Sequence, residues 1–170
     1  AYDEYTPVNY MGDIVYTANM RISYTTEIVD TDGSPLWNIF RVSKVDEENW
    51  TEPGLFAEEL SSVTAHFGWT TFNERGNRLF YNTNQERVGK ADAKMGIYTA
   101  GFAGGEWTGI QPFEFNDPRY NFFHPCLSPN GTMLFFSSDM RGGHGGVDLY
   151  MCTLENSQWS EPVNLGPAVN

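Results

Sequence analysis

His124-Pro-Cys-Leu-Ser-Pro-Asn-Gly-Thr-Met-Leu-Phe-Phe-Ser-Ser-Asp-Met-Arg-Gly-Gly-His-Gly-Gly-Val-Asp-Leu-Tyr-Met-Cys152 can be read in two ways. Two histidines, two cysteines, two aspartates and a run of glycines in so short a space could build a metal or catalytic site. The same residues could equally be one copy of a repeated unit, in which they serve turns. Finding the pattern elsewhere in the chain decides between these readings.

It is found twice more. Leu134-Phe-Phe-Ser-Ser-Asp-Met-Arg141 matches Ile14-Val-Tyr-Thr-Ala-Asn-Met-Arg21 in character, position for position, and Leu79-Phe-Tyr-Asn-Thr-Asn84 is a third version. Each follows a glycine turn: Met11-Gly-Asp13, Glu74-Arg-Gly-Asn77 and Pro129-Asn-Gly-Thr132. A second short strand pattern follows each one, at Asn38–Ser43, Gly96–Ala100 and Asp148–Thr153, then a polar turn and a tryptophan. Trp50-Thr-Glu-Pro53 and Trp159-Ser-Glu-Pro162 are nearly the same tetrapeptide, and Trp107 through Pro112 is a looser version. About four short antiparallel strands in a unit of roughly 50–60 residues is the arithmetic of a β-propeller blade. The chain therefore reads as all-β, with blade-like repeats over 1–53, 54–112 and 113–170, three four-stranded antiparallel sheets in all. The connector Leu55-Phe-Ala-Glu-Glu-Leu60 alone favours helix by propensity.

Composition agrees with that class. Short apolar and aromatic runs alternate with Gly, Pro, Asn and Asp clusters, and no long 3.6-residue periodicity appears. With 22 acidic and 10 basic residues the net charge is -12, which argues against binding a phosphate backbone. No apolar run is long enough to span a membrane as a helix. A chain that opens on Ala1 is expected to begin inside a longer product. Three blades do not close a ring. The expectation is thus a piece of a larger propeller, in preference to half of a six-bladed ring closed by dimerisation.

The motifs of residues 119–170 resemble the WD-repeat-like, TolB-type propeller blade. They are His124-Pro-Cys-Leu-Ser-Pro-Asn-Gly131, Leu134–Gly143, Gly145-Gly-Val-Asp-Leu-Tyr150 and Trp159–Gly166. The version they are most similar to is that of Bacteroidetes envelope lipoproteins, which join tetratricopeptide repeats, a propeller and an OmpA-like domain. Residues 54–112 depart most, with Trp69-Thr70 where the third repeat has His124-Pro125. The resemblance implies a non-catalytic scaffold in the periplasm, associated with the outer membrane and connected with type IX secretion. It implies protein partners in the envelope, with peptidoglycan bound only through a domain outside these residues.

The candidate sites each have a plainer alternative. Asp139, Arg141, Gly142, Gly143, Gly145, Gly146 and Asp148 could hold an ion on the rim. The favoured reading is a long hairpin loop whose backbone amides Asp148 binds. Asn19 and Asn84, matching Asp139, are neutral, which argues against a shared metal role. His66, His124 and His144 lack zinc spacing, and His124 reads as a structural imidazole bonding between blades. Cys126 and Cys152 fall on first and third strands, about 9–10 Å apart from strand spacing. That is too far for a bridge, so both are expected to be free, buried thiols. Trp50, Trp107 and Trp159 could stack on sugars but are expected to pack the outer strands alike. The first-strand starts offer Tyr5, Trp69 and His124 as a ligand face, which is not an acid/base set. No cofactor is implied. The rival to the scaffold reading is the propeller of a glycan-active enzyme or a peptidase.

Overall fold

A computed structural model describes residues 2–21, 33–62, 64–84 and 93–170. It contains three antiparallel sheets. Sheet one is β1 (Glu4–Tyr10), β2 (Asp13–Ala18), β3 (Asn38–Val42) and β4 (Gly54–Leu55), in that order. Sheet two is β5 (Phe67–Phe72), β6 (Arg78–Asn84), β7 (Met95–Ala103) and β8 (Glu106–Pro112). Sheet three is β9 (Phe122–Leu127), β10 (Met133–Ser138) and β11 (Asp148–Glu155), with β12 (Gln158–Trp159) and β13 (Val163–Asn164) both paired to β11. Sheet three thus has five named strands where four were expected. The reason is local. Pro162 has no N–H for the ladder, and it splits the outer strand into two short pieces. Pro53 does the same in sheet one, leaving Trp50 in an isolated bridge to Lys44 and β4 beyond it. Sheet two has no proline there and keeps β8 whole, with a register shift and a positive φ of 61° at Gly109.

The helix-prone connector forms only a 3-10 turn, Glu58–Leu60, which fully buries Leu60. Among the described residues no helix is long and apolar enough to cross a membrane.

The two cores lie between sheets, not within them. One holds Val15 and Ile39 of sheet one, Phe56 and Leu60 of the connector, and Leu79, Tyr81 and Trp107 of sheet two. The other holds Phe80 and Ile97 of sheet two, Phe113 beyond it, and Phe122, Leu134, Phe136 and Tyr150 of sheet three. The central sheet is therefore covered on both faces, and Leu79 through Thr83 of β6 are buried without a break. The outer sheets show the two-residue alternation of a half-covered sheet. In β2, Val15 and Thr17 are buried while Ile14 and Tyr16 are less so. In β10, Leu134 and Phe136 are buried while Met133 is exposed and Phe135 half-buried.

This layering corrects two expectations. Trp107 and Trp159 each pack on the preceding sheet. Trp107 meets Tyr10 and Phe56 at 6.1 and 5.8 Å between ring centroids, and Trp159 meets Phe80 and Phe113 at 5.8 and 6.0 Å. Trp50 occupies the same place in sheet one but is 42 % exposed, because among the described residues no sheet precedes its own. The thiols also differ from each other. Both are free, but Cys152 is buried and Cys126 exposed. They pair with neighbouring residues of β10, Cys152 with Leu134 and Cys126 with Phe135, so they point to opposite faces. Cys126 shares the uncovered face with Phe135.

Candidate functional site: an aromatic cleft at the inner strands

The first strands of the three sheets lie together, with β5 in contact with both β1 and β9. Each carries a bulge at the same place. The register shifts after Tyr5 in β1, after Gly68 in β5 and after Phe123 in β9. In each case the next residue has a positive φ: Thr6 at 52°, Trp69 at 31° and His124 at 52°. Non-glycine residues rarely sit there, and the strain persists only where the surrounding structure holds it. The equivalent set is therefore Thr6, Trp69 and His124, whereas Tyr5 matches Gly68 and Phe123.

The start of each first strand is held in one recurring way. The last residue of the second strand, or the one just after it, accepts a hydrogen bond from its backbone. Asn19 Oδ1 accepts from Asp3 N–H at 2.8 Å, Asn84 Oδ1 from His66 N–H at 2.8 Å, and Asp139 Oδ1 from Asn121 N–H at 2.6 Å. This explains why amide and carboxylate side chains interchange at that position: only the acceptor oxygen matters. Asn82, fully buried, links sheets two and three. Its amide donates to Gly96 and Phe122 carbonyls at 3.0 and 2.7 Å, and its oxygen accepts from His124 N–H at 3.0 Å.

These elements frame a cavity of about 350 Å³. Sheet one supplies Tyr5 and Thr17, and Trp37 lies just before β3. Sheet two supplies Phe67, Gly68, Trp69 and Met95, with His66 ahead of β5, and sheet three supplies Phe123. Tyr5 and Trp37 form one wall, with centroids 5.1 Å apart and planes at 45°. Trp69 and Phe123 form another, at 6.3 Å and 78°. Trp37 is pinned through its backbone: its N–H donates to His66 Nδ1 at 3.3 Å and its carbonyl accepts from Phe67 N–H at 2.7 Å. Gly68 lets sheets one and two close up at the cavity floor, since a Cβ there would sit 3.2 Å from Thr17 Cγ2.

His124 stands beside the cleft, its ring edge-on to Trp69 at 4.5 Å. Its backbone N–H reaches Asn82 of the neighbouring sheet, but its ring hydrogen bond stays within its own sheet, Nδ1 to Ser137 Oγ at 2.8 Å. The expected imidazole bond between blades is thus replaced by a ring contact and a backbone bond. Burial pushes the His124 pKa below its usual value, which favours the uncharged ring. Thr70 Oγ1, next to Trp69, is buried without a hydrogen-bond partner among the described residues.

The glycine loop is separate from the cleft. Asp148 accepts from the His144 and Gly145 amides and from Asn164 Nδ2, the last two at 2.8 Å. Burial pushes this carboxyl up, but the three donors outweigh it and hold the pKa below the ordinary value. Arg141 lies exposed on the same loop.

Of the sequence-named residues, Tyr5, His66 and Trp69 line the cleft and His124 adjoins it. Trp50, Trp107, Trp159, Asp139, Arg141 and Asp148 are elsewhere in the repeat. Trp37, Phe67 and Phe123 were not foreseen as lining residues. The available signal was aromatic residues immediately before or within the starts of recognised strands.

No family model matches the chain, and no curated protein does. Among solved structures it is similar to a puromycin-hydrolysing peptidase of Mycobacterium tuberculosis, with TM-score 0.56 and 12 % identity over 98 % of this chain and 24 % of that one. A structure from a study of two prolyl endopeptidases has TM-score 0.46 and 10 % identity, over 99 % of this chain and 29 % of that one. A post-proline cleaving enzyme from Rickettsia typhi has TM-score 0.33 and 10 % identity, over 96 % and 30 %. The chain spans about a quarter of the first of these. At such identity the likeness is one of fold, and it agrees with three successive propeller blades.

Proposed function

We propose that these residues form the binding part of a propeller that holds a ligand in the aromatic cleft, without carrying out chemistry themselves. One observation carries this reading: three successive sheets converge their aromatic side chains on one cavity of about 350 Å³. A concave, mostly apolar space at a junction of units is where small ligands and peptide side chains bind. The likeness in fold to a peptidase supports a propeller of the peptidase type, with any catalytic groups outside these residues. The envelope-scaffold reading, periplasmic and linked to type IX secretion, rests on sequence motifs that are strongest in residues 119–170 and is the second choice.

The test is a binding screen on the 170-residue chain with short peptides, followed by tryptophan fluorescence. Trp37→Leu and Trp69→Leu should abolish the response, while Trp50→Leu should leave it intact. Binding that is unchanged in both cleft variants would place the ligand elsewhere and refute the proposal.

A further inference from the structure

Within that binding reading, we infer that the cleft selects a cation: a quaternary ammonium or the charged end of a basic side chain. The lining carries five aromatic rings, those of Tyr5, Trp37, Phe67, Trp69 and Phe123, whose faces carry negative quadrupole potential. A cation over such faces gains about 0.5–1 kcal/mol when exposed and about 2 kcal/mol or more when desolvated. Two ring pairs set at an angle, Tyr5 with Trp37 at 45° and Trp69 with Phe123 at 78°, line the same cavity.

The electrostatics agree. Among the described residues that line the cleft none is Lys or Arg. His66 Nδ1 accepts a hydrogen bond from the Trp37 N–H at 3.3 Å, so that nitrogen turns a lone pair toward the backbone. Asp3 and Glu4 are exposed on the strand leading into Tyr5, and the whole chain carries -12. Among the described residues, Lys94, which precedes Met95 in sequence, opposes this. Two polar atoms of the lining are already engaged: the Thr17 hydroxyl lies 3.4 Å from that of Thr6, and His66 Nδ1 accepts from the Trp37 N–H at 3.3 Å.

The experiment compares choline with its uncharged carbon isostere, 3,3-dimethylbutan-1-ol, by titration calorimetry and tryptophan fluorescence on the full 170-residue chain. The two have nearly the same shape, so their difference isolates charge. Choline should bind saturably, and the isostere about tenfold more weakly or worse, corresponding to the desolvated cation–π range. Choline affinity should fall as salt is added, because the attraction of the acidic surface is screened. Tyr5→Leu, at a side chain 55 % exposed and so tolerant of change, should weaken choline binding severalfold with the fold intact by circular dichroism. Trp69→Leu should do the same. Equal binding of choline and the isostere would overturn the cation claim while leaving the cleft a binding site. Failure of choline, the isostere and the peptide screen together would overturn both readings. Choline binding unaffected by Tyr5→Leu and Trp69→Leu would also overturn the inference, since the cation would then sit elsewhere.

Discussion

The three repeat tryptophans make a quantitative prediction, because they hold one position in three environments. Trp107 is 4 % exposed and Trp50 is 42 % exposed, a difference of 38 % of the side-chain surface. A tryptophan buries up to about 250 Å². The difference is therefore roughly 90 Å², worth about 2 kcal/mol at ~25 cal/mol per Å². Differences of this kind are more robust than absolute areas, since the unfolded reference cancels. Trp107→Ala also leaves a cavity walled by Tyr10, Phe56 and Phe72, whereas the site of Trp50 opens to water. We expect Trp107→Ala to cost about 3–5 kcal/mol, Trp159→Ala somewhat less, and Trp50→Ala at least about 2 kcal/mol less than Trp107→Ala. For a chain of this length each kcal/mol moves the melting temperature by about 2–4 °C, so the Trp50 and Trp107 variants should melt roughly 4–8 °C apart. Thermal melts followed by far-ultraviolet circular dichroism measure this directly. Equal losses for Trp50→Ala and Trp107→Ala would refute the argument that each tryptophan is an anchor on the sheet before it.

Three further outcomes are expected. The Asp148 carboxyl has a lowered folded pKa, so its stabilising effect is complete above about pH 4, the unfolded value. That effect is lost as pH falls through the folded value, and the stability gap between wild type and Asp148→Asn, measured by urea denaturation, should close at acid pH and not at alkaline pH. Gly143→Ala should destabilise by on the order of 1–3 kcal/mol, because its Cβ would run into the Asp148 carboxylate, whereas Gly146→Ala meets nothing within 4 Å and should be mild in the same denaturation assay. Ellman's reagent should modify Cys126 promptly in the native protein and Cys152 only on unfolding, since burial, reinforced by Glu114 and Glu161, pushes the Cys152 thiol up to about 12.

The repeat is legible in the sequence because equivalent positions carry the same physical duty in every copy. Asn19, Asn84 and Asp139 align because each supplies one acceptor oxygen to the start of the first strand. The outer-strand tryptophans align in pairing but not in burial. Burial at a repeat position depends on the adjoining unit, which the pattern of one unit does not contain. Cys126 shows the same effect on the opposite side of the stack. The cleft is only partly legible for a related reason. Tyr5 and Trp69 stand out as first-strand residues, but Trp37 comes from the lead into a third strand and Phe123 from a position that is glycine in the second repeat. What brings them together is the spacing of three sheets and a bulge that shifts register by one residue. Neither follows from local propensity.

The contacts between sheets are directional. The Val15 side of sheet one meets the Leu79 and Tyr81 side of sheet two, and the Phe80 side of sheet two meets the Leu134 and Phe136 side of sheet three. No surface pairs with a copy of itself. Head-to-tail contacts of this type close into a ring when the rotation per step allows it and otherwise grow as open filaments. The side bearing Trp50 and the side bearing Phe135 are, among the described residues, the two faces with no neighbouring sheet, and they differ from each other as the two members of a head-to-tail contact do.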